Sequence, residues 1–179
     1  MDKLAHVDVG WTLFLDRDGV INERIFGGYI LDYQDFRFKE GVLQASTELF
    51  MKFSRVIVVT NQQCVALEYI TAEKLQLVHQ EMVADFDKMN ARIDRVFSAI
   101  ERKGTAPFMR KPEVKMAEMA KAEFPEIDFH KSIMVGDTDS DLQFGKNLGM
   151  KTVLIRSAEK TTIVPDLMLN GLGDLIDFI

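Results

Sequence analysis

Five short apolar runs constrain this chain more than any other feature: WTLFL (Trp11–Leu15), RVIVV (Arg55–Val59), RVFSAI (Arg95–Ile100), SIMVG (Ser132–Gly136) and TVLI (Thr152–Ile155). Most are β-branched and apolar on successive residues, so each reads as a strand covered on both faces. A shorter sixth run is LMLN (Leu167–Asn170). Segments of helical period separate them. Val42, Ser46, Leu49, Phe50 and Phe53 share one face behind Gly41, and Thr71 can cap a helix carrying Leu75, Val78, His79, Met82 and Phe86. Pro112 suits the first turn of a helix that Pro125 ends, and Asp139–Leu148 is stopped by Gly149. This alternation predicts an α/β fold, a Rossmann-like three-layer arrangement with a central, mostly parallel sheet between helices. The aromatic Glu23–Lys39 segment, ERIFGGYILDYQDFRFK, is expected to form a small hairpin or flap.

Composition narrows the setting. The 179 residues fit one domain spanning 1–179. A net charge of -6 disfavours nucleic acid and anionic membrane as partners, but not an anionic small molecule at a locally cationic site. No apolar run approaches the ~20 residues that span a bilayer. The start, MDKLAHVDVGW, lacks the basic flank and apolar core of a signal peptide. The single cysteine, Cys64, rules out an internal disulfide and reads as a small buried hydrophobe. A cytoplasmic monomer is the expectation. His6, His79 and His130 are scattered, and His79, on the helical pattern, reads as structural.

The polar residues just beyond the strands carry the chemistry. Asp16 and Asp18 come after the first run, Thr60 after the second, and Asp137 and Asp141 after the run at Ser132–Gly136, while Lys111 comes after a loop that begins beyond Ile100. Ligands of open parallel sheets bind beyond the carboxyl ends of the strands, so these residues should converge. Crowded carboxylates must protonate or share a cation, and hard oxygen ligands suit Mg2+. A lysine and a threonine hydroxyl add donors for phosphoryl oxygens, which makes the set a phosphoryl-transfer site. Singly, each residue has a blander reading: aspartates populate turns, Thr60 could cap a turn, and Lys111 could be solvated. DTDSDL is not a calcium loop, because Leu142 and Leu148 stand where glycine and glutamate are needed, and Val20 disqualifies DRDGVIN similarly.

DRDG, TNQ, RKP and VGDTDSD, in that order, resemble the haloacid-dehalogenase (HAD) phosphatase superfamily. DRDGVIN, GGYILDYQDFRFKEGV, VVTNQ and RKP are similar to the branch containing heptose-bisphosphate and histidinol-phosphate phosphatases, over roughly Thr12 to Ile155. The resemblance implies that Asp16 is the nucleophile, forming an aspartyl-phosphate, and that Asp18 is the acid and then the base. It implies that Thr60 and Lys111 hold the phosphoryl group, and that Asn22, Asn61, Gln62 and Arg110 contact substrate. Mg2+ would be held by the Asp16 carboxylate, the Asp18 carbonyl and Asp137, with Asp141 supporting it through water. Neither the stretch before Gly41 nor that between Thr60 and Lys111 leaves room for a cap domain. Selection then falls to the flap and to the loops Gln62–Tyr69 and Glu101–Arg110. Two departures stand out. Where the branch usually carries a zinc loop, this chain reads SAIERKGTAPFM, without cysteine or histidine, so no zinc is expected. After TNQ it continues QCVALEYI, without the branch's usual glycine and arginine-glycine.

The reading is therefore a magnesium-dependent phosphomonoesterase acting on a small phosphorylated metabolite. D-glycero-D-manno-heptose 1,7-bisphosphate comes first, with Arg102, Lys103 and Arg110 available for its second phosphate. Histidinol phosphate is the alternative, with Glu23 and Glu68 available for its cationic groups. A phosphatase of proteins or nucleic-acid ends also suits a capless site. A non-catalytic binding module is the reading of another class, opposed by the intact Asp16, Asp18 and Lys111.

Overall fold

The computed structural model describes residues 4, 7–106 and 108–179; His6 lies outside them. Among the described residues six strands form one sheet: β1 (Thr12–Leu15), β2 (Arg55–Asn61), β3 (Arg95–Ala99), β4 (Ser132–Gly136), β5 (Lys151–Ile155) and β6 (Leu167–Leu169). Their order is β3-β2-β1-β4-β5-β6, and every pairing is parallel. The chain builds outward from β1 to one side, then returns to lay β4 against its other edge. The switch point thus lies at the carboxyl ends of β1 and β4, where such sheets bind ligands. Leu15 stands level with Val135 of β4 and Val58 of β2, so the residues just beyond these strands emerge together.

Alternation along the strands makes two apolar layers. Leu13, Leu15, Val56, Val58, Ile133 and Val135 face α1 (Val42–Phe50), α2 (Ala72–Lys88) and a 3-10 stretch, Leu172–Phe178. Phe14, Ile57, Val59 and Met134 face α3 (Lys115–Glu123) and α4 (Asp139–Asn147). Thr71 caps α2, its side chain accepting from the Lys74 amide. Among the described residues no helix is long and apolar enough to cross a membrane.

Two elements differ from expectation. Pro112 precedes α3 by three residues instead of opening it. The residue before it is held by a side chain fifty residues away: Lys111 N–H donates to Asn61 Oδ1 at 2.9 Å, and Asn61 Nδ2 donates to the Lys111 carbonyl at 3.3 Å. That clamp holds Lys111 in a turn. The Glu23–Lys39 segment forms a loop, not a regular hairpin. One antiparallel bridge, Asn22 to Phe38, closes its base, and it carries a 3-10 turn at Tyr33–Asp35. Phe36 and Phe38 pack in an aromatic file that continues to Phe86 and Phe50. Tyr33 donates to Asp85 on α2 at 2.5 Å. The flap is thus anchored on α2, while Ile25 and Phe26 in it stay exposed.

Candidate active site

Asp16 leaves β1 and Asp137 leaves β4, and the Asp16 amide donates to the Val135 carbonyl at 2.9 Å. Two glycines permit the crowding. A Cβ on Gly19 (φ +92°) would stand 2.1 Å from Asp137 Oδ2, and one on Gly136 would stand 2.0 Å from Asp141 Cβ. Asp141 lies in the first turn of α4. Its Oδ2 accepts from the Thr138 amide and hydroxyl at 3.0 and 2.7 Å, leaving Oδ1 aimed at the site. An oxygen of each of Asp16, Asp137 and Asp141 lies within 4.8 Å of the others.

Lys111, 3 % exposed, is the cation beneath this group. Its Nζ is 2.8 Å from Asp16 Oδ1, 2.7 Å from Asp141 Oδ1, and donates to the Val59 carbonyl at 2.6 Å. Burial alone would lower the Lys111 pKa, but Asp141 and Asp16 outweigh it and hold the group charged. Burial raises Asp16 to about 6, Lys111 pulls it back, and Asp141 and Asp18 push it up. Asp137 is raised to about 7 by burial and by Asp16, against the pull of Arg24.

Asp18 is held differently. Burial pushes its pKa up, but the Arg17 charge and hydrogen bonds from Asn22, Arg17 and Gln62 win, so it lies below the ordinary value. Arg17 Nη2 reaches Asp18 Oδ1 at 2.9 Å and Oδ2 at 3.0 Å. Asn22 Nδ2 donates at 2.9 Å and Gln62 Nε2 at 2.7 Å, the latter also reaching Thr60 Oγ1 at 2.9 Å. Arg17 is fully buried, and its Nη1 meets His79 Nε2 at 2.9 Å. Burial and the neighbouring guanidinium push His79 down to about 3, so the ring is neutral and accepts. His79 does sit on the buried face of α2, as its spacing predicts, but it also fixes the arginine beneath Asp18. A polar residue within an apolar helical stripe was the available signal.

A cleft of about 570 Å³ opens above, between the flap and the start of α4. Asp16, Asp18, Thr60, Asn61 and Arg110 line it, whereas Asn22 and Gln62 lie buried behind it as supports of Asp18. Gln63, not Gln62, faces the cleft and donates to the Tyr29 hydroxyl of the flap at 2.8 Å. Arg24 and Lys160 join Arg110 as its cations, while Arg102, Lys103, Glu23 and Glu68 are not among its lining residues. Arg24 escaped the sequence reading. Its Nη2 is 2.6 Å from Asp137 Oδ1, 3.0 Å from the Asp18 carbonyl and 3.9 Å from Asp16 Oδ2. Glu101 escaped it too. Buried under the loop, its Oε1 accepts from the amides of Met109 and Arg110 at 2.7 and 2.6 Å. That staple presents Arg110, whose Nη1 is buried without a partner among the described residues.

Comparison with known proteins agrees with this geometry. Residues 108–175 match the HAD-hydrolase-like family model. The D-glycero-alpha-D-manno-heptose-1,7-bisphosphate 7-phosphatase of Campylobacter jejuni is 32% identical over 149 residues, 83% of this chain and 84% of that protein. The corresponding beta-anomer phosphatase of Haemophilus ducreyi is 32% identical over 180 residues, 94% and 97% of the two chains. In fold, the chain matches the D,D-heptose 1,7-bisphosphate phosphatase of B. bronchiseptica, solved with magnesium and phosphate. The TM-score is 0.84 at 22% identity, over 93% of this chain and 96% of that one. The chain belongs to the HAD-like hydrolases, among their phosphatases.

Proposed function

We propose that this protein is a magnesium-dependent phosphomonoesterase that removes the 7-phosphate of D-glycero-D-manno-heptose 1,7-bisphosphate through an aspartyl-phosphate. The observation that carries the reading is the convergence of Asp16, Asp137 and Asp141 on one point, with Lys111 ion-paired to two of them. The donor set fits the metal: all the ligands are hard oxygens, and one carboxylate oxygen from each of Asp16, Asp137 and Asp141 lies within 4.8 Å of the others. Asp16, Asp137 and the Asp18 carbonyl would hold it, with Asp141 behind them. Bound there, Mg2+ supplies positive charge that steadies the carboxylates and the phosphoryl oxygens.

The residues divide the reaction between them. An Asp16 oxygen attacks phosphorus in line, and the bond from phosphorus to the sugar oxygen breaks. Lys111 and the Thr60 hydroxyl hold the phosphoryl oxygens during transfer. The arriving phosphate is a like charge beside Asp18 and favours its taking up a proton, which it gives to the departing alcohol. The ionised Asp18 then returns to the donors of Arg17, Asn22 and Gln62 and draws a proton from water. That water attacks phosphorus, the bond to Asp16 breaks, and inorganic phosphate leaves. A single domain acting as a cytoplasmic monomer completes the reading.

The cations of the cleft favour a bisphosphate over histidinol phosphate. Among the described residues Arg110 carries a buried, unpartnered Nη1, as a group awaiting an anion would. The glutamates that would suit histidinol lie elsewhere: Glu23 and Glu68 are exposed and do not line the cleft. Arg110→Ala should raise KM for the bisphosphate at least about tenfold, the scale of one charge-assisted contact, and leave nitrophenyl phosphate nearly unchanged. Equal effects on both, or a higher wild-type kcat/KM for histidinol phosphate, would overturn the substrate. The two anomers of the bisphosphate should be compared in the same assay.

Chelation should abolish turnover, and magnesium should restore it. Elemental analysis of protein purified without added metal should find no stoichiometric zinc, because the stretch SAIERKGTAPFM offers neither cysteine nor histidine. One tightly held zinc per chain would contradict this.

A further inference from the structure

The three oxygens that would take the metal already have a visitor. Arg24 Nη2 donates to Asp137 Oδ1 at 2.6 Å and to the Asp18 carbonyl at 3.0 Å, and approaches Asp16 Oδ2 at 3.9 Å. A magnesium ion needs those oxygens at ~2.1 Å. The two cations cannot share the space, by size or by charge. Arg24 is also an incomplete tenant. It brings one positive charge where the ion brings two, and its Nε is buried without a partner among the described residues. Its other nitrogen, Nη1, stands 3.7 Å from Glu159, which lines the cleft and gives the guanidinium somewhere to go.

We infer that Arg24 is the resident counter-cation of the metal site, displaced by magnesium into the cleft, and that it thereby sets the affinity of the protein for its metal. The inference rests on the reading of Asp16, Asp137 and the Asp18 carbonyl as the metal's ligands. In the metal-free protein Arg24 offsets the repulsion of buried carboxylates, a service magnesium takes over. Each occupant therefore opposes the other. Arg24 stabilises the metal-free form and does little for the loaded one.

Calorimetric titration of MgCl2 into chelator-stripped protein tests this without measuring turnover. Arg24→Gln keeps a hydrogen-bond donor but no charge, and should bind magnesium at least about tenfold more tightly than wild type, the scale of one lost charge pair. In EDTA the variant should melt below wild type, and saturating magnesium should close most of the gap. Equal magnesium affinities, with the same melting gap in both conditions, would reduce Arg24 to an ordinary ion pair and overturn the inference. Failure of either protein to bind magnesium would instead sink the metal reading beneath it. If the variant does not fold, wild type alone decides. Phenylglyoxal labelling of Arg24, with peptide mass mapping of the product, should rise when magnesium is added, and unchanged labelling would refute displacement.

Discussion

Asp16→Asn should lower kcat at least about a hundredfold, some 3 kcal/mol or more of barrier, while the protein remains folded. The group proposed to attack phosphorus is gone, and its shape remains. Stability should not suffer, for an electrostatic reason. Lys111 keeps the Asp141 carboxylate and the Val59 carbonyl as partners. The wild-type carboxyl is itself costly to ionise, since burial raises it from 3.8 to about 6. Linkage gives the sign: a carboxyl whose folded pKa lies above its unfolded value favours folding at low pH, and that contribution is lost as pH rises through about 6. Neutral asparagine escapes the loss. Chelator-treated wild type should therefore lose more stability between about pH 4, close to the unfolded value, and about pH 7, a unit above the folded one, than Asp16→Asn does. Thermal melts across that range, with steady-state kinetics at pH 7, check both halves. A variant retaining more than about a hundredth of wild-type turnover would mean that another group attacks phosphorus.

The parts of the site that could be read from the sequence are those the strands dictate. A buried strand such as Phe14 and its neighbours announces itself by apolar content, and the residue after it must emerge at the carboxyl end of the sheet. Asp16 and Asp137 were legible for that reason, Thr60 as the polar residue after an apolar run although β2 itself continues to Asn61, and Asp141 as the next aspartate beyond the run at Ser132–Gly136. Residues whose roles depend on distant partners were not. Arg17 meets His79 across 62 positions, and Arg24 meets Asp137 across 113. No local pattern encodes such pairings. Gln62 shows a finer limit. Its own amide is held by the Ala99 carbonyl at 2.7 Å, continuing the pairing of β2 with β3. That sets its side chain inward, on Asp18 and Thr60, and turns its neighbour Gln63 to the cleft. The clamp of Asn61 on Lys111 is likewise a pairing across fifty positions, in the turn where the sequence placed the start of α3.

Lys111→Met should damage both activity and folding, and the two effects separate by condition. Methionine nearly preserves length and removes the charge. Asp16 and Asp141 then face each other, buried, without the ammonium that lies 2.8 and 2.7 Å from them, and the Val59 carbonyl loses its donor. Removing one partner of a buried charge cluster costs about 3 kcal/mol or more. Part of that is recoverable, because Asp16 is already raised by burial and can take up a proton. The deficit should therefore be largest above pH 7 in chelator and shrink on acidification. Magnesium should also reduce it, by supplying charge to the same carboxylates. Activity should not recover with stability. Lys111 is the cation beside Asp16, and loss of a preorganised charge at a transferring phosphoryl group costs roughly 10²–10³ in kcat. Lys111→Arg should not rescue turnover, since three contacts of 2.6 to 2.8 Å around one nitrogen leave no room for a planar guanidinium. Kinetics in saturating magnesium, where Lys111→Met is folded, isolate the chemical loss. Turnover within about tenfold of wild type under those conditions would remove Lys111 from the phosphoryl site and leave it a structural counter-ion.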